Sequence, residues 1–563
     1  MTMIYQDKYE IIDSSMSDSN IRARKHKNIR NHIFIVNSII HDVLSKKSNV
    51  PVDIMVLDYK QMFDSECLFE CMNDLFEAGV NDDKFALLYE ANRENLVAVQ
   101  TPNGLSKREA FTEIVMQGDV LAPLISSLQV DTIGKECLEE GKHLYYFKDK
   151  VPIPPLGLVD DLFTISTCGV NTTKMNRFIN TKTAMKRLQF GTSKCVKLHV
   201  GKTCNKSLCQ DLYVDGWKVD SATDSDGNCV RTEYFGGPEK MKEKLEQTYL
   251  GDVISADGSH TKNVLARKSK GQGVINQITQ ILDSVFFGKY HFEVALILRS
   301  SLLLSSLLLN SEAWVNFSDK DIRSLEQTDE CLLAKFLDCD SNTSNVFRYL
   351  ELGIYPIRYE IMKRKILFLQ YILQQEKNSM MFQVFQASKE NPLKNDFIHT
   401  CNKYLNHLDI KLTFEEISKL SKYKFKQIVK QKVAEAGFKY LLEEKSRQTK
   451  IMDISYTKLE IQEYLVEGNK NTELSKVIFK ARGMTLDLKT LKKWKYKDDI
   501  CVGCGMKSET VEEFLSCSGL GDNCDGELSY NCVFGDKVQD MVVLASKIKR
   551  RMKIRQQIID DNG

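Results

Sequence analysis

The chain has 563 residues, 42% apolar and 27% charged, and its net charge is +2. That length suggests about three folding units. The composition is that of an ordinary globular protein, and the net charge alone points to no partner. The first residues, MTMIYQDKYEIIDSS, mix charge and polarity and exclude a secretory signal. The 16 cysteines, scattered from Cys67 to Cys532, therefore read as reduced thiols of an intracellular protein, cytoplasmic or nuclear. The charge is uneven. Residues 361–450 hold 18 Lys and Arg against 9 Asp and Glu, a local net of +9, which suits a polyanion-facing surface.

In chain order, residues up to Arg30 are basic and polar. Ile33, Val36, Ile39, Ile40 and Val43 then recur at helical spacing. Residues 52–57 (VDIMVL) form a continuously apolar strand of the buried kind. Asp64-Ser65 suits a helix N-cap, Leu68, Met72, Leu75 and Phe76 make one helical face, and Gly79 stands at the C′ position. Residues 96–100 and 111–115 read as strands around Pro102-Asn103-Gly104. A helix over 120–140 tolerates Pro123 in its first turn. Pro152, Pro154 and Pro155 break the chain before residues 156–165 (LGLVDDLFTI), an apolar hairpin with two acids at its bend. Residues 175–188 are helical, 201–238 are irregular, and nearly everything from 264 to 500 reads as helix. Residues 294–309 (VALILRSSLLLSSLLL) fall short of the ~20 apolar residues a membrane span needs and carry Arg299, so a buried helix is expected.

Asp58 closes the first strand and Asp160-Asp161 sit at the later bend. Acids at the ends of neighbouring strands repel unless cations lie between them. Such oxygen ligands suit Mg²⁺, and paired ions about 3.5–4 Å apart serve in-line phosphoryl transfer. Three other Asp-Asp pairs, at 82–83, 498–499 and 560–561, lie in polar surroundings and read as solvated.

Five ordered motifs resemble the reverse transcriptases of non-LTR retrotransposons. Leu57 through Asp64 (LDYKQMFD) is similar to motif A, Gln117 through Pro123 (QGDVLAP) to motif B, and Leu158-Val159-Asp160-Asp161 to motif C. Phe190 through Cys195 (FGTSKC) is similar to motif D, and Tyr249-Leu250-Gly251 to the primer grip of motif E. The resemblance implies an α+β fold: a right-hand polymerase palm of antiparallel sheet and helices with partial fingers, an α-helical thumb and a helical C-terminal region. It implies RNA-directed DNA polymerase activity on an RNA template, a DNA primer and dNTPs, with no membrane partner. Asp58, Asp160 and Asp161 would hold two Mg²⁺ or Mn²⁺ ions, with the Tyr59 carbonyl nearby. Phe63 would be the steric gate against a 2′-OH, and Gln117 and Gly118 would line the nucleotide and template base. Lys194 would protonate the leaving pyrophosphate. Plainer readings stay open: Phe63 as a core aromatic, Lys194 as a solvated lysine.

The implied organisation is partial fingers over 1–50, palm with fingers elements over 51–255, thumb and connector over 256–385, a basic helical region over 386–495 and a Cys-bearing tail over 496–563. Arg22, Arg24, Lys25, Lys27 and Arg30 offer charge in the fingers segment, with a flexible basic arm as the plainer reading, but the upstream triphosphate-binding strand of relatives has no counterpart, as in an N-terminally truncated copy. Leu158 replaces the usual Tyr of motif C. Lys262, Arg267, Lys268 and Lys270 are thumb candidates for phosphate contacts, and Lys419 through Lys432 form a second basic patch. A late run (Lys547, Lys549, Arg550, Arg551, Lys553, Arg555) suits RNA or a nuclear address. Cys501, Cys504 and Cys517 resemble the family's zinc knuckle, with Glu513 where its His stands and Cys524 or Cys532 as alternative fourth ligands. The competing reading is a remnant that binds nucleic acid without turnover.

Overall fold

The computed structural model describes residues 10–21, 27–45, 50–60, 62–81, 83–93, 95–98, 100–102, 104–111, 122–141, 143–186, 188–202, 212–214, 217–218, 233–234, 239–285, 287–340, 342–452, 454–466, 472–521 and 538–562. Two compact units result. One comprises Met1–Asn263, Glu312–Phe317 and Phe368–Lys403; the other comprises Val264–Ser311, Ser318–Leu367 and Tyr404–Gly563.

The first unit is built on α1 (Ile29–Ser45), β1 (Val52–Asp58), α2 (Leu68–Glu77), α3 (Ala122–Glu140), β2 (Leu156–Leu158), β3 (Asp161–Thr167), α4 (Val170–Met185), β4 (Val196–Val200) and β5 (Lys242–Lys244). The sheet order is β5-β4-β1-β3-β2. It is mixed rather than purely antiparallel, because β4 and β5 pair in parallel. β1 lies between two antiparallel neighbours and is apolar on both faces except at buried Asp53, which accepts from Thr172 Oγ1 at 2.9 Å and meets His199 Nδ1 at 2.9 Å. Met55, Leu57 and Tyr59 point to one face, where Val130, Ile133 and Cys137 of α3 and Met175 and Ile179 of α4 complete a core. The free edge of β2 is covered by the chain at Asn20, which bridges to Gly157 and donates from its amide to the Ser127 carbonyl. Gly157 is required here: a Cβ would stand 2.9 Å from Val130 Cγ1.

Several local expectations need correction. The strand pair around Pro102 is Asn95–Val97 against Glu109–Phe111, with only a two-residue inner pair, and 112–115 lie outside the described residues. Asp64 and Ser65 do not cap α2. They belong to a one-turn helix, Met62–Ser65, and the cap position falls to Cys67, which makes no side-chain cap bond. Gly79 does follow the helix at φ +98°. Residues 446–462 and 483–510 are mostly irregular, not helical. Cys168 is disulfide-bonded, so not every cysteine is a thiol.

Residues 294–309 are not one buried helix. Helix His291–Leu298 passes through a π-turn, Arg299–Leu303, and Ile297 is exposed. At the start of the turn Arg299 reaches Asp329 through two bonds of 2.6 and 2.7 Å, both partners buried. No helix among the described residues is long and apolar enough to cross a membrane. In this second unit Glu351, fully buried, accepts from the Tyr456 hydroxyl at 2.5 Å, from Tyr464 and from Arg482 at 3.3 Å. Removing one partner from such a network strands a buried charge, at a cost of about 3–5 kcal/mol.

The first unit also buries an acid the sequence does not advertise. Glu66 is fully buried, and neither carboxyl oxygen makes a hydrogen bond of good geometry, although Ser126 lies beside it. Burial, with the Asp74 carboxylate adding, pushes its pKa up to about 8. The folded state therefore favours protonated Glu66. Its contribution to stability is full below pH ~4.3, the ordinary Glu value, and is lost as pH rises through about 8. Glu66→Gln is expected to be more stable than the parent by a few kcal/mol at pH 8.5, with the gap closing toward pH 4.5. Urea denaturation at the two pH values checks this; a pH-independent difference would contradict it.

Candidate active site

β1 and β3 run antiparallel in a register that places Asp58 directly opposite Asp161. Directly opposed residues share a face, with Cβ atoms about 4.5–5.5 Å apart, and like charges there are destabilising. Asp160 joins them from the two-residue turn between β2 and β3, where Leu158 faces Asp161. That turn is strained. Val159 holds φ +54°, a region disfavoured for a β-branched residue, while its side chain is fully buried. The Asp160 carbonyl accepts from the Tyr59 amide at 3.0 Å, which ties the turn to the end of β1.

The chain after α4 closes the site from the other side. Tyr59 bridges to Phe190 and stacks on it at 4.8 Å, and the Gly191 amide donates to the Asp58 carbonyl at 2.7 Å. A Cβ at Gly191 would lie 3.1 Å from Asp58 Oδ1, so a small residue is favoured there. Lys194 Nζ reaches Asp58 Oδ1 at 2.9 Å. The Asp58 carboxylate raises the Lys194 pKa, and the charges of Asp160 and Asp161 add to it. The ammonium thus sits in the field of all three acids.

Of the residues expected in one site, the fold sets Asp58 opposite Asp161, Asp160 at the adjoining turn and Lys194 on Asp58. The donor chemistry fits a hard divalent cation: three carboxylates on two adjacent strand ends, with one lysine to offset three charges. The three acids are not gathered on one point, and Lys194 stands on Asp58. They are not among the described groups whose ligand atoms all lie within 4.8 Å of one another.

The other named residues are more dispersed. Phe63 is half-buried and packs against two core clusters. Tyr249 ends one strand of the hairpin Glu246–Tyr249 and Asp252–Ser255, whose turn places Leu250 at φ +48° and Gly251 at φ +85°. Its ring packs on Phe163 at 4.5 Å, and its hydroxyl meets His32 Nδ1 at 2.9 Å. His32 is fully buried, and burial holds its pKa at about 3, so the ring is neutral. Sequence reading misses His32, because a lone His in an apolar helix gives no signal. Gln117, Gly118, Arg22, Arg24, Lys25, Cys524 and Cys532 lie outside the described residues.

Two basic expectations change. Arg267 is buried and Lys268 donates to Ser324 Oγ at 3.1 Å, which leaves Lys262 and Lys270 on the surface. In the last helix, Val538–Asn562, Arg555 grips buried Glu509 at 2.9 and 2.8 Å, and Arg551 donates to the carbonyls of Phe514 and Cys517. Those two arginines are internal struts, so the late basic run is only in part a surface.

The tail forms a second cluster. Cys501, Cys504, Glu513 and Cys517 place four ligand atoms within 4.8 Å of one another. Cys501 Sγ and Cys517 Sγ are 3.7 Å apart, and Cys504 Sγ lies 3.5 Å from Glu513 Oε1. A tight knuckle makes this arrangement: Gly505 donates to the Cys501 carbonyl at 2.8 Å and takes φ +66°. The backbone amides of Lys507 and Met506 hold the Cys504 thiol below its ordinary pKa, while burial pushes Cys517 up to about 11. Three sulfurs and one carboxylate make a four-donor set that fits a tetrahedral divalent ion.

Fold and site together define a class: an α+β protein whose small mixed sheet delivers acids from two adjacent strand ends beside one lysine. No family model and no curated protein matches the chain. Among solved structures, apo telomerase from Candida tropicalis superposes with a TM-score of 0.33 at 12% identity, over 76% of this chain and 60% of that one. Telomerase from Candida albicans, in complex with the TWJ fragment of telomeric RNA, gives 0.33 at 10% identity over 71% and 58%. The chain thus spans about three-fifths of the length of these telomerases. Superpositions this loose carry no inference about activity.

Proposed function

We propose that the chain is the core of an RNA-directed DNA polymerase of non-LTR retrotransposon type, adding dNTPs to a primer 3′-OH on an RNA template. The observation that carries this is the opposition of Asp58 and Asp161 across β1 and β3, with Asp160 at the adjoining turn and Lys194 among them. An acid pair in direct register weakens a sheet unless its charge is used. Support comes from the motif order, which runs through the same strand ends, turn and hairpin. The palm would lie in the first unit; most of the thumb and of the basic helical region would follow in the second, with residues 368–403 in the first.

Asp58, Asp160 and Asp161 would hold Mg²⁺, and two such ions, when bound, supply charge stabilisation to the attacking and leaving oxygens of an in-line displacement. Lys194 carries a proton that its acidic neighbours hold firmly, and it would give that proton to the departing pyrophosphate. The strained turn at Val159 would restrict where Asp160 points before substrate arrives. The hairpin at Tyr249 would support the primer end, its own ring locked by His32 and Phe163.

Purified full-length protein, a labelled DNA primer annealed to RNA, dNTPs and Mg²⁺ test this. Template-complementary extension is expected. A primer that is bound but never extended would favour the second reading, a nucleic-acid-binding remnant, which Leu158 at the usual place of the motif C Tyr motivates.

Phe63 offers a separate test. Phe63→Ala is expected to raise ribonucleotide use about tenfold or more, the size of a lost steric rejection of roughly 1–3 kcal/mol. Single-nucleotide incorporation with dNTP and rNTP measures it; unchanged discrimination in a folded variant would remove the gate role and leave Phe63 a core aromatic.

A further inference from the structure

The segment from Lys489 to Lys497 reads KTLKKWKYK, five lysines interleaved with Trp494 and Tyr496. The two aromatics have different fates. Tyr496 is committed inside the fold: its hydroxyl donates to Asp487 at 3.1 Å, and the Arg555 guanidinium covers its ring at 5.3 Å. Trp494 is 70% exposed, with Lys492 Nζ 5.2 Å from its ring centre. One exposed aromatic is ordinary on a surface; what marks Trp494 is the lysine over its ring and the lysine-lined groove at which it stands.

Trp494 stands at a groove of about 700 Å³ within the second unit. Lys480, Lys492, Lys495 and Lys549 line it, against Asp340 and Asp487. Its floor is apolar: Val477, Leu486, Ile548 and Met552 continue the core that also contains Cys501 and Cys517. The lysines are held in surface pairs, Lys480 with Asp338 at 2.8 Å and Lys549 with Glu473 at 3.7 Å. Exposed pairs of this kind are worth about 0–1 kcal/mol and exchange readily for phosphate. Lys493, the residue before Trp494 in the chain, is exposed.

We infer that this groove is a binding platform for single-stranded nucleic acid, in which one unpaired base stacks on Trp494 while the flanking phosphates meet Lys480, Lys493 and Lys549. An exposed aromatic beside lysines is the combination that tracks a single strand, because every base has a π-face and every linkage a charge. Duplex fits poorly, since its bases are already stacked. The site uses none of Asp58, Asp160 and Asp161, so it stands whether or not the chain polymerises.

The test uses full-length protein with an unstructured oligouridylate and its DNA counterpart, read by indole emission and by anisotropy of the labelled strand. Trp494→Ala is expected to weaken single-strand binding roughly five- to hundredfold, the range of one base stack. Trp494→Phe should recover most of the affinity, and duplex binding should change little. Lys493→Gln should lower the salt slope by about 0.7, the value of one phosphate no longer neutralised. Preference for RNA over DNA, or none, decides which strand the platform serves and supports it either way. Unchanged single-strand affinity in Trp494→Ala, with its melting temperature intact, would overturn the inference. So would emission that the strand leaves unaltered.

Discussion

Asp160→Asn is expected to lower primer extension about a thousandfold or more, the size of roughly 4 kcal/mol of lost charge stabilisation. Asn keeps the shape of Asp160 and removes its charge. The turn should survive, because its geometry depends on the buried Val159 side chain and on the bond from the Tyr59 amide to the residue 160 carbonyl. The variant should therefore bind primer–template like the parent and melt at the same temperature or slightly above it, since one repulsive charge near Asp58 and Asp161 has gone. Equal extension by parent and variant would show that Asp160 is not a ligand. Lost extension together with lost binding would show that the turn, not the charge, was disturbed.

The second large effect concerns the tail. We propose that Cys501, Cys504, Glu513 and Cys517 hold one Zn²⁺. The four donors already converge, and Lys507 pairs with Glu513 at 3.3 Å, leaving that carboxylate tethered near the sulfurs. Structural zinc contributes about 10–16 kcal/mol to small domains, so its loss should unfold the region. Metal analysis of purified protein is expected to give close to one zinc per chain, and Cys504→Ser close to none. A chelator should lower the melting temperature of the second unit's transition by about 10 °C or more. Glu513→His should retain zinc, because imidazole is a common ligand. Zinc-free parent protein that melts identically with and without chelator would contradict the assignment.

The legible features are those that local patterning encodes. The apolar run of β1 ends at Asp58, and the acid-bearing bend lies between two apolar runs. Both follow from period and turn chemistry; the α+β class comes with the motif resemblance. Lys194 was legible through its motif, but its pairing with Asp58 depends on the close approach of Gly191 and appears only in the fold. Other features depend on distant residues. Phe34 of α1 meets Phe368 and Phe397 edge-on, so residues near 368–403 belong with the first unit although hundreds of positions separate them. Burial of Glu66, Arg267 and Arg551 is likewise set by neighbours remote in sequence; as isolated residues they read as solvated charges. The N-cap at Asp64-Ser65 failed because the chain spends those residues on a helical turn of its own.

The cation site itself is tested most directly by Mn²⁺ uptake, followed by the electron paramagnetic resonance of the free ion in the presence of full-length protein and primer–template. The parent is predicted to take up Mn²⁺, approaching two ions per chain. Asp58→Asn and Asp160→Asn should each lose most of that uptake, while Lys194→Gln, which removes the competing ammonium, should keep or strengthen it. Equal uptake by the parent and both aspartate variants, or none by the parent, would contradict a metal site at Asp58, Asp160 and Asp161.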